Sequence, residues 1–261
     1  MLSAEQLKAR DGKLTASRVA CLMQGDAEKI LNLWRELTGD PSFVPDDLSG
    51  VWPVRLGEAT EDLNLHWYER RTGRTATRRG EVVVHPVHTY AACTLDGFDA
   101  VIGAVIECKC VGGFEARDKV IDRYQPQVQW QMAVTQTTKA VLSIIEGGKE
   151  PVLEEIGYDA AYCKELWTRA AAFMLCVQTL RPPVALAPVV APVRPSKVYD
   201  MASSNAWATH AAVWLTNRSA AKSFDGASKE LKALVAADAA KAHGHGIIVT
   251  RDGRGVTIKE A

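Results

Sequence analysis

Asp96, Glu107 and Lys109 fall within one largely apolar stretch, TLDGFDAVIGAVIECKC, residues 94–110. Buried charge is costly unless it is paired or bound to a metal. Three ionisable groups in such a run are therefore either the rim of a half-exposed hairpin or a site. Read as two short strands joined by a turn, the stretch sets one carboxylate against a carboxylate and an ammonium. Glu107 and Lys109 are two apart and share a face. Asp96 lies eleven residues before Glu107, a separation that paired strands can close. These are the parts phosphodiester hydrolysis requires. A hard divalent cation takes one or two carboxylates plus waters, and it polarises phosphate and activates water. A cation beside it offsets charge that develops in the transition state. A helix crossing the Glu107–Lys109 face would bring a fourth group, with Glu61 the best candidate. Asp99 is a rival to Asp96. The bland alternative is a hairpin carrying a surface salt bridge, which contributes little.

The elements that must position these groups are legible from periodicity. TASRVACLM starts a helix, with Thr15 or Ser17 as N-cap. Residues 26–37 form an amphipathic helix capped by Asp26, with Ile30, Leu31, Trp34 and Leu37 on one stripe. Residues 55–73 form another, closed by Gly73. Then the period changes: 81–86, 90–97 and 104–110 read as three strands of an antiparallel meander. A loop over 111–123 leads to a helix with Pro126 in its first turn. Two strands follow, and Asp159 caps a last long helix. Trp52, just before the Gly57 helix, is expected to be buried. The order predicts an α/β (α+β) core, a central mixed sheet flanked by helices.

Composition bounds the rest. The chain has 261 residues, 47% hydrophobic and 24% charged, the profile of a soluble globular protein. It shows no membrane-length apolar run and no signal-peptide pattern, so a cytoplasmic location is expected. The six cysteines lack CxxC spacing and are expected to be reduced, mostly buried thiols. Residues 182–196 are proline-rich and predict an extended linker between a main domain, 1–181, and a small C-terminal α+β module, 197–261. Residues 1–180 carry 20 basic and 25 acidic residues, net −5; residues 197–261 carry nine and six, net +3. DNA contact in the main domain must therefore use local basic clusters. One candidate is RRTGRTATRRG, 70–80, with five arginines. The module reads as helical segments followed by a hairpin turning at Asp252-Gly253, with His243 and His245 at a helix end and turn.

Five stretches, in order, resemble the YqaJ-type viral recombinases of the PD-(D/E)xK nuclease superfamily, the family that includes phage lambda exonuclease. They are TASRVACLM, LGEATEDLNLHWYERRTG, AACTLDG, IECK and YQPQVQWQMAVT, together covering about residues 10–180. The resemblance implies a PD-(D/E)xK, restriction-endonuclease-like core. It implies Mg²⁺, for which Mn²⁺ substitutes, held by Asp96, Glu107, Glu61 and the Cys108 carbonyl. Lys109 corresponds to the catalytic lysine and Gln127 to a glutamine at the site. Gln131, one helical turn on, shares that face, whereas Gln129 and Trp130 do not. Arg10, Ser17 and Arg117 correspond to a 5′-phosphate pocket, Arg10 lying seven residues before the TAS serine. The chain departs from the family pattern in having Leu95 where a proline precedes Asp-Gly, and Val111-Gly112-Gly113 after the lysine.

What the resemblance implies is a 5′-to-3′ exonuclease acting on double-stranded DNA ends, phage or prophage encoded. It would leave 3′ overhangs for a single-strand annealing protein, and would work as a ring-shaped homotrimer. A structure- or site-specific endonuclease on the same fold, or a non-catalytic DNA-end binder, are the alternatives.

Overall fold

The computed structural model describes residues 3–192, 200–253 and 255–261. The chain divides into two compact units, 1–194 and 195–261.

The first unit opens with three helices: α1 (Ala4–Arg10), α2 (Ala16–Gln24) and α3 (Ala27–Thr38). Asp26 caps α3 as expected, its side chain accepting from the Lys29 amide. The long α4 (Trp52–Thr72) ends at Gly73, whose left-handed conformation suits glycine. Five short strands follow: β1 (Ala76–Thr77), β2 (Val82–Val84), β3 (Ala92–Thr94), β4 (Gly97–Asp99) and β5 (Ala104–Val111). Then come α5 (Arg117–Thr135), β6 (Lys139–Glu146), β7 (Val152–Gly157) and α6 (Ala160–Gln178), the last capped by Asp159.

The main sheet has the order β1-β4-β5-β6-β7. All its pairs are antiparallel except β5–β6, which is parallel and joined by the α5 crossover, as a parallel pair requires. Two cores cover its faces. Leu65 and Tyr68 of α4 pack on Ala104, Ile106 and Cys108. On the opposite face Val105 joins the larger core built by α2, α3, α5 and α6. Alternation along β5 therefore turns Glu107 and Lys109 towards α5, not α4.

Three expectations are corrected here. The meander does not form: Leu95 and Asp96 break the predicted middle strand, so β3 pairs β2 in a separate two-stranded sheet while β4 joins the main one. The loop after β5 is shorter than expected, because α5 starts at Arg117 and holds Pro126 in its interior. Pro126 forfeits one helical hydrogen bond but is buried in the packed helix. Trp52 is not buried; at the first residue of α4 it is 72% exposed.

Residues 182–192 lack regular structure, yet they do not hang free. Leu186 and Val189 pack on the larger core. Val189 N donates to Met23 O at 2.8 Å, and Arg169 donates to both Leu22 O and Ala187 O. Gly25, at φ +70°, lets this strap pass: a Cβ there would lie 2.5 Å from Leu186 O. The first unit thus extends past residue 181. The remainder of the expected linker, 193–196, and the first residues of the module, 197–199, lie outside the described residues.

The second unit is one 29-residue helix, α7 (Asn205–Ala233), and a three-stranded antiparallel sheet, β8 (Lys241–Gly244), β9 (Ile247–Asp252) and β10 (Gly255–Glu260). The two helical segments expected there are continuous. His243 sits in β8, opposite Ile248, not at a helix end.

Candidate active site

Asp96 stands where the chain leaves the two-stranded sheet for the main one. Its Oδ2 accepts from the Cys108 amide at 2.8 Å, capping β5 just beyond the end of β4. The N–H and C=O of one strand residue face the same edge, so the Cys108 carbonyl faces Asp96. Gly97 has to be small: a Cβ there would lie 3.0 Å from Leu65 Cδ2 and 3.3 Å from Ala76 Cβ. Asp99 is excluded as a site carboxylate. It is wholly buried and is consumed by the Tyr68 hydroxyl, by Arg74 Nε at 2.5 Å and by the amides of Val101 and Ile102.

Glu107 is buried and fully engaged. Its Oε1 accepts from Lys109 Nζ and from Gln127 Nε2, and its Oε2 accepts from Gln131 Nε2 at 2.5 Å. Lys109 Nζ also lies 4.9 Å from the Tyr124 ring centre on α5. Burial opposes the lysine's charge, but Glu107 and Asp96 outweigh it and hold its pKa above the usual value. Burial and then the charge of Glu107 push the Asp96 carboxyl well above its usual range. The same two causes raise Glu61.

Glu61 reaches the site by a route the sequence reading did not anticipate. Its helix, α4, packs on the sheet face opposite Glu107 and Lys109, yet Glu61 and both of those residues line one cavity of about 290 Å³. The cavity also takes in Asp96, Gln127 and Thr94, with Arg10, Thr15 and Ser17. Arg10 donates to Thr94 Oγ1 at 3.3 Å and to Thr15 Oγ1 at 3.5 Å, and the Thr15 and Ser17 hydroxyls are 3.3 Å apart. Burial, then the charge of Arg18, lowers the Arg10 pKa. Among the described residues no carboxylate bonds Arg10. Thr15 is the N-cap of α2 but makes no capping bond with its side chain, so that helix terminus still has amides to offer an anion.

Two expected substrate residues lie elsewhere. Arg117 makes a bidentate pair with Glu146, at 2.8 and 3.2 Å, and is not in the cavity lining. Gln131 is wholly buried, on Glu107 instead of in the cavity lining. In the arginine-rich turn, Arg74, Arg78 and Arg79 are held by Asp99, Glu81 and Glu69, while Arg70 and Arg71 stay exposed.

Sequence reading missed Asn64. It donates to Ser143 O at 3.0 Å and to Lys109 O at 3.3 Å, and accepts from Ser143 Oγ at 2.5 Å. It clamps α4 to β5 and β6 below the site. Its place three residues after Glu61, on the same helix face, was the available signal.

The donor chemistry fits a hard dication. Among the described residues no three His, Cys, Asp or Glu side chains gather around one point. Two carboxylates, a carbonyl and waters meet the needs of Mg²⁺, and the burial and Glu107 charge that raise Asp96 and Glu61 are what a cation would offset.

A mixed sheet between helical layers, with Asp96 in the break just before β4 and Glu107 and Lys109 on the adjoining β5, defines a nuclease-type fold. Residues 5–138 match the YqaJ-like viral recombinase domain, and the chain belongs to that family. The uncharacterized protein YqaJ of Bacillus subtilis (strain 168) is 26% identical over 133 residues, 49% of this chain and 41% of that protein. The match thus spans less than half of that relative. The crystal structure of an alkaline exonuclease (LHK-Exo) from Laribacter hongkongensis shares the fold, with TM-score 0.57 and 23% identity over 68% of this chain and 94% of that one. The same enzyme in complex with dAMP superposes with TM-score 0.56.

Proposed function

We propose that the protein is a metal-dependent exonuclease that enters double-stranded DNA at an end and digests one strand 5′ to 3′, for recombination by single-strand annealing. One observation carries the reading. A single cavity is lined both by Asp96, Glu107 and Lys109 and by Arg10, which has no carboxylate partner among the described residues. Such a cavity suits a scissile phosphate and a terminal phosphate together.

Mg²⁺, held by Asp96, Glu107 and the Cys108 carbonyl with Glu61 beside them, would supply Lewis acidity at the scissile phosphate. Lys109 keeps its proton and orients water while offsetting transition-state charge. Gln127 and Gln131 hold Glu107 in place. Arg10 binds the terminal phosphate by charge-assisted hydrogen bonds, helped by Ser17 and the α2 N-terminus. The likeness to the alkaline exonuclease structure supports this reading. A ring-shaped homotrimer and an annealing-protein partner complete the proposal.

The test uses linear duplex with a 5′-phosphate or 5′-hydroxyl, closed circular plasmid, and Mg²⁺ or EDTA. Mg²⁺-dependent loss of the 5′-phosphorylated strand, with the circle intact, is expected. Lys109→Ala should lower the rate about 10²–10³-fold, the size of effect seen on removing one transition-state donor. Cutting of the circle would replace this reading with an endonuclease. Binding of ends without hydrolysis would leave only an end binder.

A further inference from the structure

Helix α7 buries none of its residues within the described structure. At 3.6 residues per turn, Trp207, Trp214, Arg218, Lys222, Lys229 and Lys232 fall on one stripe. All six are exposed, Trp207 by 59% and Trp214 by 61%. The Arg218 guanidinium lies 5.2 Å from the Trp214 ring centre. A groove of about 610 Å³ runs along this face from Val213 to Lys229. Its one acidic lining residue is Asp225; Glu230 lies on the far side of the helix. Among the described residues none of the four cations forms an ion pair.

We infer that this face binds single-stranded DNA. Charge complementarity selects a polyanion: four cations without an ion pair among the described residues, against one carboxylate in the groove. The tryptophans select unpaired bases, because a flat exposed indole stacks on a base only when that base is out of a duplex. From Trp207 to Lys232 the stripe is about 38 Å long at the helical rise, room for several nucleotides. The site needs no metal and none of the cavity residues. Under the proposed function its ligand is the strand left after digestion. Binding itself does not depend on that reading.

The test is fluorescence anisotropy of a labelled 30-nucleotide oligo(dT) with the full chain in EDTA. Trp214→Ala should weaken binding about tenfold, and Trp214→Phe should restore most of it. Arg218→Gln with Lys222→Gln should weaken binding and flatten the log–log salt dependence by about 1.4, two charges at roughly 0.7 each for single strands. The α7 variants should digest a short 5′-phosphorylated duplex in Mg²⁺ at the wild-type initial rate, so failure of the nuclease reading stays separate from failure of this one. Unaltered affinity in the α7 variants would overturn the inference, as would equal competition by blunt duplex. Loss of an annealing-protein interaction with oligo(dT) affinity intact would reassign the face to protein docking.

Discussion

Gln131 donates to Glu107 Oε2 at 2.5 Å from a position with no solvent exposure, on the crossover helix that follows the strand carrying Glu107. With Gln127 and Lys109 on the other oxygen, the carboxylate has no freedom to rotate. Outer-shell partners of this kind are worth about 10–100-fold in metal affinity or activity. Gln131→Leu should therefore raise the Mg²⁺ concentration for half-maximal digestion by roughly that factor, with little change in end binding. A titration of rate against Mg²⁺ checks this. Loss of end binding at unchanged Mg²⁺ dependence would return Gln131 to a substrate role.

Arg10 and Arg117 should separate cleanly. Charge-assisted hydrogen bonds are worth about 1.5–3 kcal/mol. Arg10→Ala should thus cut the preference for 5′-phosphate over 5′-hydroxyl ends by about 10–100-fold. Arg117→Ala breaks a pair with Glu146 outside the cavity and should leave that preference intact. The ratio of initial rates on the two ends is the measurement.

Asp99 gives a pH signature independent of catalysis. Burial pushes its carboxyl up, but Tyr68, Arg74 and two turn amides more than offset this and hold it below the usual range. A carboxyl lowered on folding stabilises above its unfolded pKa, about 4, and loses that contribution as pH falls through the folded value. Asp99→Asn should be less stable at neutral pH, and its melting temperature should fall less steeply than the wild type's below about pH 4. Asp99→Ala, which leaves Arg74 and Tyr68 unmatched, should cost about 3–5 kcal/mol, at the lower end because Arg74 is partly exposed. Thermal melts across pH 3–7 decide both.

The Asn64 clamp predicts coupling. Asn64→Ala strands Ser143 Oγ and two carbonyls in a dry interior, at about 1–3 kcal/mol for an unmatched buried group. Asn64→Ala with Ser143→Ala should cost less than the sum of the two singles. Denaturant unfolding of the four proteins closes the cycle.

Local chemistry was readable in the sequence and long-range geometry was not. Asp26, Gly73 and Asp159 end or start helices by bonds within a few residues, so their roles follow from residue type. Glu107 and Lys109 share a face because strand alternation needs no partner. The break at Leu95 and Asp96 is different. It comes from competition between two sheets for one segment, which no two-residue period reveals. The resemblance implied a phosphate ligand at Arg117, whereas the folded chain pairs that side chain with Glu146, 29 residues on. Glu61 was expected on the helix over the catalytic face, and only the layer order puts α4 beneath it.

The strap over 182–192 bears on how such chains can exchange parts. Its backbone bond from Val189 to Met23 anchors the end of the helix whose start carries Ser17. A gene shuffled at the first prolines would keep every residue of the cavity and still unseat the helix that frames it. A new tail in place of the second unit keeps these strap contacts only if it joins beyond Val189. The seam for modular recombination therefore lies later than the proline-rich composition advertises.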